Sequence, residues 1–576
     1  MQKIGIGYEF YKKMIDDRCY YVDKTLLIRD IVEQGGEVTL FTRPRRFGKT
    51  LALTTLQAFF ECELDREGNK IDNSRYFEGK KIMGAGEDIT SMMGQYPVIF
   101  LTLKSSKQPD FENAFYHLVS NISSELSRHR YVLKSDRLEP EDREKFEKLL
   151  ARPIQPYAGD ENNKRLLDDI SAFSDALKVL SVVLKQYHGK DTIILLDEYD
   201  VPLESSYFAG YYDRMVSFIR ALFESSLKTN PALKFAVVTG CLRISKESIF
   251  TGLNHLIFNS VLDSRFTESF GFTVAETEKM LEDYGIGDAK EEVRDWYDGY
   301  LFGEKEIYNP WSVINYVYAK TGNPNYLPRP FWANTSSNSI IRELVENADD
   351  KVKEELEVLI DFGTIEKQIH EDITYDDIHK SEDNLWNFLF FTGYMRKVSE
   401  RIEGEDIFLT MRIPNNEIRN IYRNQIKEWF DHVVKETNRG TFHQDVLDRN
   451  TDAMGAFVTG LLEQSISTFD SSESFYHGFL LSLLTGVPHY RPRSNREAGD
   501  GRPDIVLYPL NPVDPAILFE LKIRKKYNEM NAGIEEAFAQ IRDKKYEEGI
   551  LEDGYNGVVS FGGCFCKKSA VFGIMN

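Results

Sequence analysis

The chain of 576 residues is far longer than one hydrophobic core normally serves, so three or four domains are expected. Its 42% hydrophobic and 13% aromatic content excludes a disordered chain. The net charge of −21, from 71 basic and 92 acidic residues, argues against non-specific coating of nucleic acid but leaves room for a local basic groove.

No apolar stretch reaches bilayer length, and the opening "MQKIGIGYEFYKKMIDDRCYY" lacks the basic-then-apolar pattern of a secretion signal. Five cysteines, an odd number, suit free thiols in a reducing compartment. The expectation is a cytoplasmic protein with no membrane partner. Cys564 and Cys566 form a Cys-x-Cys with no second pair or nearby His, which falls short of a zinc site.

In chain order, "EVTLFT" (37–42), "YPVIFLTL" (96–103), "TIILLDEYD" (192–200) and "LKFAVVTG" (233–240) read as buried strands between helical segments. That alternation predicts a parallel sheet covered on both faces, and 1–271 is expected to form one α/β domain. Between the first strand and an apolar-periodic helix stands "RPRRFGKT". A loop entering a helix N-terminus offers backbone N–H groups and partial positive charge to phosphate. Arg46, Phe47, Gly48, Lys49 and Thr50 are the candidate ATP-binding residues. Lys49 is expected to reach the outer phosphates, and the Thr50 hydroxyl to bind Mg²⁺. Arg43 stands where the usual pattern has its first Gly, which leaves the loop geometry open.

The third strand ends in Asp197, a candidate Mg²⁺-ordering acid, and Glu198, a candidate water-activating base. The fourth ends at Thr239, placed to sense a γ-phosphate, with Arg243 beyond it as a cation for the nucleotide; a strand-terminal Thr and a surface Arg are the plain alternatives. Residues 272–345 read as a helical, lid-like subdomain. Its aromatic run "WYDGYLFGEKEIYNPWSVINYV" lacks interleaved basic residues, so interdomain packing against the ATPase is favoured over base stacking. Residues 346–438 read as a helical, winged-helix-like domain with a hairpin in "VSERIEGEDIFLTMRIPN".

From 439 to 576 the order helix, strand, strand, helix predicts a compact α/β domain. "PDIVLYP" and "AILFELKIR" are joined by the turn-rich "LNPVDPA", which suits an antiparallel return. Alternation puts Glu520 and Lys522 on one face, and Asp504 opens the neighbouring strand. Two carboxylates in one small volume need a neutralising cation, and oxygen donors favour Mg²⁺ or Mn²⁺. Such a metal can activate water and polarise a phosphodiester, with Lys522 stabilising charge on the phosphate. His477 in "FYHGF" either faces this site or sits in the core.

The pieces "YYVDKT", "RPRRFGKT", "LLDEYD", "RISKESIF", "WYDGY" and "YNPWSV" resemble bacterial AAA-ATPase-like proteins, and the C-terminal part resembles their PD-(D/E)XK nuclease domain, whose fold is restriction-endonuclease-like. In that family Arg replaces the first loop Gly. The resemblance implies an upstream acid completing the metal shell, Glu497 or else Glu473. Gln540, Lys544 and Tyr546 resemble a Gln-x-x-x-Lys-x-Tyr element that contacts water or a phosphate. The expected function is an ATP-binding, ATP-hydrolysing protein controlling a Mg²⁺-dependent nuclease, on DNA before RNA. A nucleotide-dependent sensor with a silent nuclease fold is the alternative, and a homo-oligomer is compatible with either.

Overall fold

The computed structural model describes residues 1–65, 67–157, 164–228, 230–242, 249–250, 256–332, 341, 350–370, 381–436, 438–464, 473–494 and 501–575. The chain divides into two compact units, 1–336 with 364–418, and 337–363 with 419–576. No helix among the described residues is long and apolar enough to cross a membrane.

In the first unit the four apolar runs form β1 (Val38–Thr42), β2 (Val98–Thr102), β3 (Thr192–Asp197) and β4 (Leu233–Gly240), joined by β5 (Leu256–Asn259). Every pairing is parallel, in the order β2-β3-β4-β1-β5. All of β1 and β3 is buried, and all of β4 except Lys234, which is why these segments show no alternation in sequence. Thr42, Asp197 and Gly240 end three neighbouring strands at the carboxyl edge, where open α/β sheets take ligands.

Past the sheet, β6 (Phe272–Thr273), β7 (Tyr300–Phe302) and β8 (Lys305–Tyr308) make a small antiparallel sheet. Thr273 and Glu276 close a capping box on the helix Val274–Asp283. Asn309 caps the helix Pro310–Gly322, whose first residue is Pro, as helix N-termini prefer. Tyr297, Tyr308 and Tyr316 pack with Met280 and Leu281 in a core of this region itself. The hairpin read at 398–415 is β10 (Arg396–Glu403) and β11 (Asp406–Arg412), turning at Gly404 with φ +66° and extended by β9 (Ile365–Gln368).

One carboxylate in this unit is costly to bury. Glu417 is fully buried and accepts from the Trp332 N–H at 2.8 Å and the Ser312 hydroxyl at 2.7 Å. Burial pushes its carboxyl from 4.5 up to about 7, although both donors oppose the shift. The unfolded chain therefore loses this proton at lower pH than the folded one. The stabilisation tied to the neutral carboxyl is complete below about pH 4.5 and gone once pH has risen through about 7. Melting temperatures measured from pH 4.5 to 8 should show wild type losing ground to Glu417→Gln across that window, and equal slopes for the two proteins would refute this.

The second unit holds a mixed sheet, β12 (Tyr490–Ser494), β13 (Ile505–Pro509), β14 (Ala516–Ile523), β15 (Val558–Cys566) and β16 (Ser569–Ile574), in that order. Only β14 and β15 pair in parallel, through the helices Met530–Asp543 and Tyr546–Glu552. One face of β14 gives Ile517, Phe519 and Leu521 to a core with Phe479, Leu480 and Leu483. The other gives Ala516 and Leu518 to a core with Ile534, Phe538 and Ile541. Continuing that second alternation puts Glu520 and Lys522 beside the helix Met530–Asp543.

Candidate functional site

The loop after β1 enters the helix Lys49–Phe60 through Gly48, whose φ of +83° is left-handed. Arg43 is turned into the protein interior. Its buried guanidinium donates from Nη1 to the carbonyls of Thr42 and Asn259, both at 2.9 Å, and lies 5.3 Å and 5.2 Å from the rings of Phe270 and Phe302. Burial pulls it down to about 10. The residue replacing the first Gly is thus a buried strut between β1, β5 and the small sheet. Phe47 is buried against Tyr300 and Phe302, at 4.9 Å and 5.2 Å. Arg46, at φ +71°, lies 4.4 Å above the Trp311 ring. These two side chains hold the loop to the aromatic run.

Lys49 is folded back into the loop. Its ammonium donates to the carbonyls of Arg43 at 2.8 Å and Pro44 at 3.1 Å. The Thr50 hydroxyl donates to Asp197 Oδ2 at 2.8 Å, and the Thr239 hydroxyl to Asp197 Oδ1 at 2.9 Å. Thr239 thus meets the site through Asp197, which is fully buried. Glu198 sits at φ +53°, and its N–H reaches Thr239 Oγ1 at 3.4 Å. Burial pushes its carboxyl up; Lys49 opposes that shift and Asp197 adds to it. Asp200 accepts from the N–H groups of Cys241 at 2.6 Å and Leu242 at 3.0 Å, and the Tyr199 hydroxyl donates to the Leu242 carbonyl. The run "DEYD" therefore ties β3 to the chain leaving β4. Arg243 lies outside the described residues.

Sequence reasoning missed two features here. Lys104 donates to Thr50 Oγ1 at 2.8 Å from the turn that follows β2, a placement that no local pattern marks. An apolar cavity of about 80 Å³ lies beside Gly48, lined by Tyr21, Val22, Leu51, Phe272 and Ile314. Lys24 of "YYVDKT" ion-pairs with Glu276 at 2.6 Å, while Asp23 and Thr25 accept from the N–H groups of Lys81 and Ile82.

In the second unit Ile505 pairs with Phe519, so Asp504 opens β13 opposite the end of β14 that carries Glu520. Asp504 Oδ2 accepts from the Leu521 N–H at 2.8 Å. Lys522 Nζ donates to Glu520 Oε1 at 3.1 Å and Gln540 Oε1 at 2.8 Å. Gln540 in turn donates to the Tyr546 hydroxyl at 3.3 Å, which reaches the Arg502 carbonyl at 3.4 Å. His477 Nε2 lies 2.8 Å from the Asp504 carbonyl and so donates to it; the ring fixes the strand start from behind. Lys544, at the end of its helix, is exposed. Glu497 lies outside the described residues. Glu473 opens the helix Glu473–Leu484.

Glu520 is 1% exposed, and its Oε2 has no hydrogen-bond partner among the described residues. Burial, and next the charge of Asp504, push its carboxyl up to about 7. A buried carboxylate oxygen without a donor, beside a second carboxylate, fits a hard cation. Among the described residues no group of three or more His, Cys, Asp and Glu forms a metal cluster. Cys564 and Cys566 are buried free thiols within β15.

Comparisons with known proteins agree with this division. Residues 5–250 match the family model described as a predicted AAA-ATPase, and residues 471–573 match the PD-(D/E)XK nuclease superfamily. The chain therefore carries an AAA-ATPase-like domain and a nuclease-superfamily domain. It is similar to the "Uncharacterized protein in vnfD 5'region" of Azotobacter chroococcum mcd 1, at 25% identity over 346 residues. That match covers 60% of this chain and 56% of the Azotobacter protein.

Proposed function

We propose that this chain, which joins an AAA-ATPase-like domain to a PD-(D/E)XK domain, binds and hydrolyses ATP and uses it to control metal-dependent cleavage of nucleic acid, DNA foremost. The observation that carries the nuclease half is Glu520 Oε2, buried beside Asp504 and undonated among the described residues, with Lys522 clamped between Glu520 and Gln540. Asp504 and Glu520 hold Mg²⁺ or Mn²⁺, with Glu497 or Glu473 as the third acid. The cation supplies Lewis acidity and an activated water. Lys522 stabilises the charge that develops on the phosphate, and Gln540 fixes the ammonium for that task. Arg491 and Arg493 are exposed on the edge strand β12, opposite Tyr508 and Val506, and so share the sheet face of Glu520. Two cations on that face suit a phosphate backbone despite the acidic chain.

In the nucleotide half, Lys49 exchanges the Arg43 and Pro44 carbonyls for phosphate oxygens, Thr50 and Asp197 hold Mg²⁺, and Glu198 accepts the proton of the attacking water. The test is a cleavage panel of single- and double-stranded DNA and RNA, with Mg²⁺ or Mn²⁺, with and without ATP. DNA cleavage should require the divalent ion, change about tenfold or more with ATP, and vanish in Asp504→Ala and Lys522→Ala. Cleavage that survives both substitutions refutes the assignment, and DNA binding without cleavage under every condition favours the silent sensor.

A further inference from the structure

The nucleotide site contains a cation that the phosphate-loop pattern does not call for. Lys104 follows β2 and opens a short turn, Lys104–Ser106. The turn is anchored on both sides. The Leu103 N–H donates to the Asp197 carbonyl at 3.0 Å, and the Ser106 carbonyl accepts from the Ser205 hydroxyl at 3.4 Å. From this base the ammonium lies 2.8 Å from Thr50 Oγ1, 3.0 Å from Glu9 Oε1 and 3.5 Å from Asp197 Oδ2.

The placement has a chemical consequence. The Thr50 hydroxyl spends its proton on Asp197 and accepts from Lys104, so the ammonium sits on the two groups that would hold Mg²⁺. An ammonium and a divalent cation cannot share those oxygens, since like charges at such distances repel strongly. Lys104 has a flexible stem on an anchored turn, and its side chain is 31% exposed. Once displaced, it stays within reach of the neighbouring Glu198, where the terminal phosphate meets the attacking water.

Resting on the nucleotide-site reading above, we infer that Lys104 is the residue that senses the terminal phosphate: it sits on the Thr50–Asp197 pair and moves onto the γ-phosphate when Mg²⁺ and ATP enter. Lys49 serves the inner phosphates of ATP and ADP alike, whereas Lys104 distinguishes them. The test is binding of fluorescent ATP and ADP analogues, with Mg²⁺, to the full chain and to Lys104→Met. Affinity for the ATP analogue should fall ~10- to 100-fold, the effect of losing one charge-assisted hydrogen bond, with ADP affinity within about threefold. Equal loss for both, or none, overturns the role of Lys104 while the nucleotide site stands. Wild type binding neither analogue overturns both. Should the variant fold poorly, labelling of wild-type Lys104 by an amine-acylating reagent, read by mass spectrometry, gives the same answer. Protection by Mg²⁺–ATP but not Mg²⁺–ADP is expected, and equal labelling overturns the inference.

Discussion

Glu520→Gln should abolish metal-dependent cleavage, by ~10³-fold or more, and yet raise the melting temperature of the metal-free protein. Both effects have one cause. In the wild type a carboxyl that is 1% exposed lies beside Asp504, and its Oε2 has no donor among the described residues. Burial and the neighbouring charge disfavour its ionised form, which is why it is pushed up to about 7. A neutral amide of the same shape removes that cost, on the order of 1–3 kcal/mol. It also removes an anionic ligand, and a ~10³-fold loss corresponds to about 4 kcal/mol in the barrier. Adding Mn²⁺ should invert the order of stabilities, because ligation stabilises only the protein with both carboxylates. Lys522→Ala supplies the opposite control. It should lose cleavage equally but melt lower without metal, since it takes away the ammonium that compensates Glu520. If Glu520→Gln cuts within tenfold of wild type, or melts below it in chelator, Glu520 is a packing residue and the nuclease assignment fails.

How legible these sites were in sequence depended on how local the signal was. Glu520 and Lys522 were readable because two charges interrupt an apolar alternation, and the same alternation assigns Leu521 to the opposite core. Asp197 was readable as an acid closing a fully buried strand. Strands β15 and β16 were not anticipated, because "VVSFGGCFC" carries glycines that normally weaken a strand. Their reason is tertiary: a Cβ on Gly562 would meet the Phe538 ring at 2.9 Å, so the helix Met530–Asp543 packs only on a bare backbone. Arg43 looked like a departure in the loop, and only β5 and the Phe270 and Phe302 rings explain it as a buried strut. Lys104 was illegible for the same reason. It lies 54 residues from Thr50 in sequence, and only the pairing of β2 with β3 brings it to Asp197. Local pattern finds residues that sit on an element, whereas residues that complete a site across elements depend on register.

The second large effect concerns Glu198. Glu198→Gln should bind ATP with affinity near that of wild type while turning it over at least ~10²-fold more slowly. The carboxyl lies next to Asp197, yet its backbone at φ +53° turns the side chain out of the strand's alternation. A left-handed glutamate is strained, and residues in such conformations concentrate where function needs a side chain aimed off its element. Burial raises the carboxyl despite Lys49, which makes it a stronger proton acceptor than a solvated glutamate. Wild-type turnover should therefore decline on acidification at a pH above the ordinary carboxylate value of about 4.3. Glu198→Gly separates strain from chemistry. Glycine adopts this φ freely, so that variant should be as stable as wild type or gain up to ~1 kcal/mol, and still lose turnover. Turnover retained in Glu198→Gly shows that the proton goes elsewhere. The same pair of variants addresses control of the nuclease. If ATP acts by occupancy, Glu198→Gln with ATP cuts nucleic acid at or above the wild-type rate, because the bound state persists. Cleavage that falls in step with turnover would instead require a hydrolytic cycle, and the occupancy model would be abandoned.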